Sequence, residues 1–326
     1  MKLSNNSASF SLVLSFALTV FVIFGAHNAL AAPQPLPFDF SPGIGSLEWQ
    51  GINNVFGDPL TNSPFSGECD PDTNGAGLGI NDAMSADGGE DASDAYDTAW
   101  LTTVGTTFVG TGGVGDLTGS TYTAVPQNIS GLDVTYQLFF SEETQCNRLV
   151  LFFDNPTGSP ISDTVRIATN FGSDDDTEVN GTSSGGAIFT TADRWIVTSE
   201  GIPSTDPVNT TVFYGPGGLP PAFVTESVCD DSGDEGVGAE FDLNVPGQST
   251  RCLMFFACLG DITGTNNTIA GALAAAPLFN SLDTIPGDLL SGLSQEQIDE
   301  CVNWDFAFAA AVPTLSEWDS LPWPAF

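Results

Sequence analysis

The sequence predicts an all-β fold: a large antiparallel β-sandwich with one or two short C-terminal helices. Three observations carry this. Leu132, Val134, Tyr136, Leu138 and Phe140 alternate with Asp133, Thr135 and Gln137, the period-two pattern of a strand with one buried face. Leu149 to Phe153 and Arg251 to Leu259 are largely apolar runs next to turn formers, Asn155-Pro156-Thr157-Gly158 and Pro246-Gly247, as suits interior strands covered on both faces. Hydrophobic residues make up 41% of the chain and include 24 phenylalanines, enough to fill a large core.

Taken in order, the chain opens with Lys2, a polar stretch and an apolar run from Phe10 to Phe24 that is short for a membrane span. Ala29-Leu30-Ala31 then supplies a small-x-small cleavage pattern, so residues 1–31 are expected to be a secretory signal peptide. Residues 32–310 are expected to form a single β-sandwich domain, since no linker is long and polar enough to demand two. Residues 311–326 remain as a tail. No repeat of fixed period stands out, which argues against a solenoid or propeller.

The single lysine, Lys2, and the single histidine, His27, both lie in the N-terminal segment. After it, Arg148, Arg166, Arg194 and Arg251 stand against 41 acids, four against 41, a formal charge of −37. Such a surface repels phosphate backbones and anionic membranes, so nucleic acid is not an expected partner. Without imidazole or lysine, Ser-His-Asp and Cys-His nucleophiles, histidine-ligated zinc and Schiff-base chemistry have no parts to work with. Carboxylate chemistry on sugars and binding of ions by oxygen ligands survive the elimination.

From Ala32 to Ser66 prolines and glycines dominate, with a short strand expected at Ser46 to Trp49. In Cys69-Asp70-Pro71-Asp72-Thr73-Asn74-Gly75 the oxygen ligands alternate and a glycine takes the sixth position, which makes Asp70, Asp72 and Asn74 candidate calcium ligands. Asn81 stands where a bidentate glutamate would complete such a loop, and a turn rich in Asp, Asn and Gly explains the same letters without an ion. Asp87, Glu90, Asp91, Asp94 and Asp97 form a second acidic patch and Asp174, Asp175 and Asp176 a third, both expected as solvated loops. Glycine-rich Gly110 to Gly119 and Gly185-Gly186 lack a following helix or lysine and are expected as hairpin and loop chemistry.

Asp193 and Arg194 are expected to form a structural contact, and Arg194 with Trp195 is a candidate sugar contact, because guanidinium bonds hydroxyls and aromatic faces stack on pyranose rings. Further strands are expected near Thr210 to Tyr214, Phe223 to Val228 and Ala239 to Val245, and Cys252 and Cys258 should share a face of the next one. Alanine-rich Asn267 to Phe279 is helical in character, and Ser294-Gln295-Glu296-Gln297 is a capping-box start; both helices are expected on a sandwich edge. Cys69, Cys146, Cys229, Cys252, Cys258 and Cys301 form an even set, which predicts disulfides in an exported protein while leaving their pairing open.

Val312-Pro313-Thr314-Leu315-Ser316-Glu317-Trp318 resembles the opening of the IPTL-CTERM sorting tail of secreted bacterial proteins. The resemblance names Pro313, Thr314, Leu315, Ser316, Glu317 and Trp318 as a sorting motif and implies processing by a membrane sorting peptidase. The glycine, membrane span and arginine cluster of that family do not follow Trp318 here, so no membrane span is expected once the signal peptide is removed. The body is similar to the β-rich region often carried ahead of such tails, through Asp94-Ala95-Tyr96-Asp97, Asn155-Pro156-Thr157, Phe171-Gly172-Ser173-Asp174, Thr191-Ala192-Asp193-Arg194-Trp195 and Asn303-Trp304. It implies a bacterial envelope or extracellular protein and brings no catalytic residues.

The expectation is therefore a secreted, acidic, disulfide-bonded bacterial module that is not an enzyme. It would lie at the cell surface, outside the cell or in the periplasm and act as a structural or interaction element. Extracellular glycans or envelope components are the candidate partners, and calcium is the candidate cofactor. The rival expectation is a carbohydrate-binding or carbohydrate-active sandwich, which needs either a carboxylate pair at glycosidase separation or an aromatic platform in a groove.

Overall fold

The structure, a computed structural model, describes residues 32–54, 65, 77–87, 93–110, 113–201, 206–228, 235–264 and 266–306. The expected signal peptide, residues 1–31, the candidate calcium residues Asp70, Asp72 and Asn74, and the tail with Pro313, Thr314, Leu315, Ser316, Glu317 and Trp318 lie outside the described residues. The described residues fall in one compact unit.

The chain begins with β1 (Ala32–Pro35), β2 (Phe38–Phe40), β3 (Glu48–Asn54), β4 (Leu78–Gly79) and β5 (Asp82–Met84). Next come β6 (Thr98–Val104), β7 (Thr107–Phe108), β8 (Val114–Thr118), β9 (Thr121–Ala124) and β10 (Gln127–Ile129). The central strands are β11 (Leu132–Phe140), β12 (Cys146–Asn155) and β13 (Ile161–Asn170). They are followed by β14 (Glu178–Thr182), β15 (Trp195–Ser199), β16 (Asn209–Val212), β17 (Phe223–Thr225), β18 (Gly236–Val245) and β19 (Ser249–Leu259). Helices α1 (Ile269–Ala275) and α2 (Gln295–Glu300) come last.

All the sheets are antiparallel. A ten-stranded sheet runs β1-β8-β9-β11-β12-β19-β16-β15-β14, with β10 also on β11; a five-stranded sheet runs β17-β18-β13-β6-β7; β2 to β5 make a four-stranded one. The expected strand at Ser46 to Trp49 is found slightly later and longer, as β3. Both apolar runs are interior: β12 lies between β11 and β19, and β19 between β12 and β16.

Alternation sorts these strands between two cores. Leu149, Leu151, Phe153, Leu253, Phe255 and Ala257 face inward and meet Val165, Ile167, Ala239 and Phe241 of the five-stranded sheet. Phe255 joins the two layers, with its ring 5.6 Å from Phe241 and 6.1 Å from Trp100. Burying one such side chain contributes roughly 1.5–3 kcal/mol. The small sheet packs on the same core through Phe40, stacked 4.7 Å from Phe140.

On the opposite face, Val150, Cys252, Met254, Phe256 and Cys258 are covered by Ala272, Ala276, Phe279, Leu289 and Trp304. The C-terminal segment thus covers an outer sheet face, α1 through Ala272 and the turns and loops after it through Ala276, Phe279, Leu289 and Trp304, where helices on an edge were expected. A blanket is needed because that face is apolar: left in water it would expose the even-numbered residues of β19. The Thr268 side chain caps α1, and Ser294 and Gln297 form the reciprocal box at the start of α2.

Two disulfides brace this sheet. Cys146 and Cys258 are direct partners across β12 and β19, with Cα atoms 4.1 Å apart. Cys252 bonds Cys301, tying the end of α2 to β19. Crosslinks of this kind persist in oxidising compartments. Among the described residues no cysteine is free and no helix is long and apolar enough to cross a membrane.

Candidate functional site

An open cleft of about 520 Å³ lies where the β8–β9 hairpin, the end of β11 and the 286–291 segment meet. Thr118, Ser120, Thr121 and Ser291 line it with hydroxyls, and Glu142, Glu143 and Asp288 with carboxylates; Phe139 forms the floor. The hairpin turns at Gly119, whose φ of +57° is one that residues with a Cβ rarely adopt.

Hydrogen bonds hold the acids in place. Asp288 accepts from the Ser141 hydroxyl and, at 2.9 Å, from the Glu142 amide, while the Ser120 hydroxyl donates to Glu142. The Ser141 oxygen also accepts from the amides of Glu143 and Thr144 at 3.1 and 2.9 Å. Beneath the floor, the Arg148 guanidinium stands 4.9 Å from the Phe139 ring centroid. It donates to the carbonyls of Leu289 at 2.6 Å and Ser291 at 3.1 Å, which pins the 286–291 segment to the sheet. Burial brings its pKa down to about 9, against the pull of Asp288, so it stays cationic at neutral pH. An arginine opening the β12 run is therefore a buried strut, a role its place beside apolar residues did not signal.

The cleft can hold a neutral polyhydroxylated ligand or a cation, since it offers acceptors and hydroxyls and no accessible positive charge. It has no aromatic platform: Phe139 is only 6% exposed. The expected Arg194–Trp195 sugar contact is not built either. Trp195 is 5% exposed, with its indole N–H bonded to Asn280 Oδ1 at 3.0 Å. Asp193 serves its own loop, accepting from the Ser184 and Thr190 amides and the Thr190 hydroxyl, and these bonds among others hold its pKa below the usual range despite burial.

A second concentration of acids lies at the N-terminal end of β6. Asp82 of β5 accepts from the amides of Ala83 and Tyr96. Asp94 and Asp97 precede β6, Asp174 sits in the turn after β13, and Asp206 precedes β16. The two loops meet closely: Gly172 N–H reaches Ala95 O, and a Cβ at Gly172 would fall 2.1 Å from the Asp94 carbonyl oxygen. The tetrapeptides Asp94 to Asp97 and Phe171 to Asp174 are thus spatial neighbours.

Of these, Asp94 and Asp97 were expected in one solvated loop and Asp174 in another. Instead burial, then the charges of Asp174 and Asp94, push Asp97 up to about 7. Asp206 also rises to about 7, through burial and then Glu200 and the other acids. Asp82 rises to about 6, through burial against the opposing Ala83 amide, and Asp94 rises through burial and Asp174. No spacing rule links residues 82, 94, 97, 174 and 206, because tertiary folding alone brings them together.

No known protein family matches the chain, and no curated protein does. Among solved structures it is similar to a polysaccharide lyase, with TM-score 0.37 and 11% identity over 60% of this chain and 32% of that one. It is also similar to a protein described as a kojibiose phosphorylase from the human microbiome, with TM-score 0.40 and 8% identity over 75% of this chain and 35% of that one. The chain spans about a third of the length of each. Likeness at this level transfers no activity.

Proposed function

We propose that this chain is an exported, non-catalytic structural or interaction module of a bacterial envelope or extracellular space. The observation that carries the reading is the pair of disulfides, Cys146–Cys258 and Cys252–Cys301, placed at the centre of the main sheet. They stabilise a folded scaffold where chaperones and reductants are scarce. The acidic surface keeps such a scaffold dispersed. Expression of the full chain in a bacterium, followed by fractionation and alkylation without reductant, tests it. Recovery outside the cytoplasm with these four cysteines protected is expected; a cytoplasmic protein with the four alkylated defeats the reading.

A second reading, carbohydrate binding by the same scaffold, is favoured by the carboxylates and hydroxyls of the cleft. A glycan array probed with the purified chain, with and without calcium, separates the two. Specific glycan retention that is lost in Glu143→Gln moves the assignment to the second reading, whereas a flat array keeps the first. Release of shortened or rearranged sugars would overturn the non-catalytic assignment outright.

A further inference from the structure

The ten-stranded sheet ends on β1 and β14, and an end strand offers unpaired N–H and C=O groups to any other strand. At β1 one bond fixes the phase of the pairing. Ala32 to Pro35 lie opposite Leu117 to Val114, and the Leu36 N–H donates to the Gly113 carbonyl at 3.4 Å in the same register. In an antiparallel pair, residues that exchange hydrogen bonds alternate with residues whose backbone groups point away. Leu36, Gln34 and Ala32 therefore turn theirs toward β8, and Pro33 and Pro35 turn theirs outward. Proline has no N–H, so the outer side of β1 presents no donor. Of its two outward carbonyls, that of Pro35 accepts from the Gln34 side-chain amide at 3.3 Å, which leaves on this strand, among the described residues, the Pro33 carbonyl.

The surroundings would make an open edge here adhesive. Pro35 lies opposite Val114, which is 43% exposed, and Val125, 57% exposed, follows Ala124, the partner of Gly115 on the next strand. Apolar side chains running out to an unpaired strand favour edge-to-edge pairing between copies. The acidic charge of the chain repels a second copy, yet that repulsion reaches only about 10 Å in 0.1 M salt and about 3 Å in 1 M. Charge thus guards the edge in dilute salt, while a missing N–H guards it at any ionic strength. The opposite end of the sheet is blunted by other means: β14 carries a bulge between Val179 and Gly181, and the Asn180 amide donates to the Glu178 carbonyl at 3.3 Å.

We propose that residues 32–36 are a built-in edge plug: they fill the strand-accepting side of β8 and, through Pro33 and Pro35, keep a second copy of the chain from adding a strand to the ten-stranded sheet. The partner they exclude is another β1, which would lie antiparallel to the first across a twofold axis.

The test is sedimentation velocity of the purified chain and of the double variant Pro33→Thr with Pro35→Thr, over a range of concentrations in about 1 M NaCl, where charge repulsion is screened. Threonine restores both N–H donors, suits a strand and presents less apolar surface than proline, so any association it adds comes from backbone pairing and not from a stickier surface. The variant should self-associate at least about tenfold more tightly than the native chain. In its associated form the new amides at positions 33 and 35 should exchange hydrogen at least about tenfold more slowly than in the dilute variant, because they are then paired. A variant that associates no more tightly than the native chain overturns the plug, and so does association that slows exchange elsewhere while leaving these two amides fast. Should the double variant fail to melt cooperatively as a folded chain, Pro33→Thr alone decides by the same two readings.

Discussion

Replacing Asn303 with alanine should destabilise the chain more than any surface substitution, because this side chain completes a sheet edge. β16 covers β19 only as far as Phe256, opposite Val212. Beyond that point Asn303 Oδ1 accepts from the Met254 amide at 2.9 Å, and its Nδ2 donates to the carbonyls of Met254 at 2.7 Å and Phe213 at 2.9 Å. One amide thus does what a neighbouring strand would do, at a fully buried position. After truncation the Met254 carbonyl keeps the Trp304 indole N–H at 2.8 Å, but the Met254 amide and Phe213 carbonyl lose these bonds. Each buried group left unpaired costs roughly 1–3 kcal/mol, so about 2–6 kcal/mol is expected in total. That is a large part of a typical stability of about 5–15 kcal/mol. Urea unfolding followed by tryptophan fluorescence, with disulfides intact, should show the midpoint falling by about 1–2 M at unchanged slope. Asn303→Asp should be no better, since it keeps the acceptor, loses both donors and buries a charge. A loss below about 1 kcal/mol in Asn303→Ala, or a tolerated aspartate, would refute the strand-completion argument.

Gly218→Ala should also destabilise, by roughly 1–3 kcal/mol, since its Cβ would lie 1.9 Å from the Asn303 carbonyl oxygen and backbone cannot rotate away; a thermal melt within 1 °C of the native chain would contradict this. Replacing Cys252 and Cys301 by serine opens a crosslink of sequence separation 49 and should cost roughly 2–4 kcal/mol in urea unfolding. An unchanged midpoint would mean that the α2 segment is held without it. Stability should fall as pH rises from about 4 to 7. Asp82 has a folded pKa of about 6 against an ordinary 3.8, so the native state binds the extra proton between them. Its stabilising effect is full below the lower value and lost as pH rises through the upper, at most roughly 3 kcal/mol. Asp97 and Asp206 act in the same direction, up to about 7. Urea midpoints at pH 4.5 and 7.5 check the sign, and greater stability at the higher pH would refute it.

Local chemistry was legible in the chain wherever one segment sets its own conformation. The alternation of β11 already states which face is buried, because side chains on a strand point to opposite sides at every step. The unbroken apolar runs of β12 and β19 announce two covered faces, and Ser294 with Gln297 caps α2 through bonds that span three residues. None of these depends on where the rest of the chain lies.

Pairing and convergence required the folded chain. β19 takes β12 and β16 as neighbours across long loops, and any of several strand orders would satisfy the same periodicity. The four described cysteines could not choose partners until register set Cys146 opposite Cys258 and the end of α2 brought Cys301 to Cys252. Asp94, Asp97 and Asp174 read as ordinary turn acids, since a carboxylate in a loop carries the same letters whether it faces water or other carboxylates. Asn303 likewise looks like a polar residue near a chain end. Its burial opposite Met254, and the meeting of the acidic turns around Asn170 and Asn209, follow from contacts between segments distant in sequence, which packing alone selects.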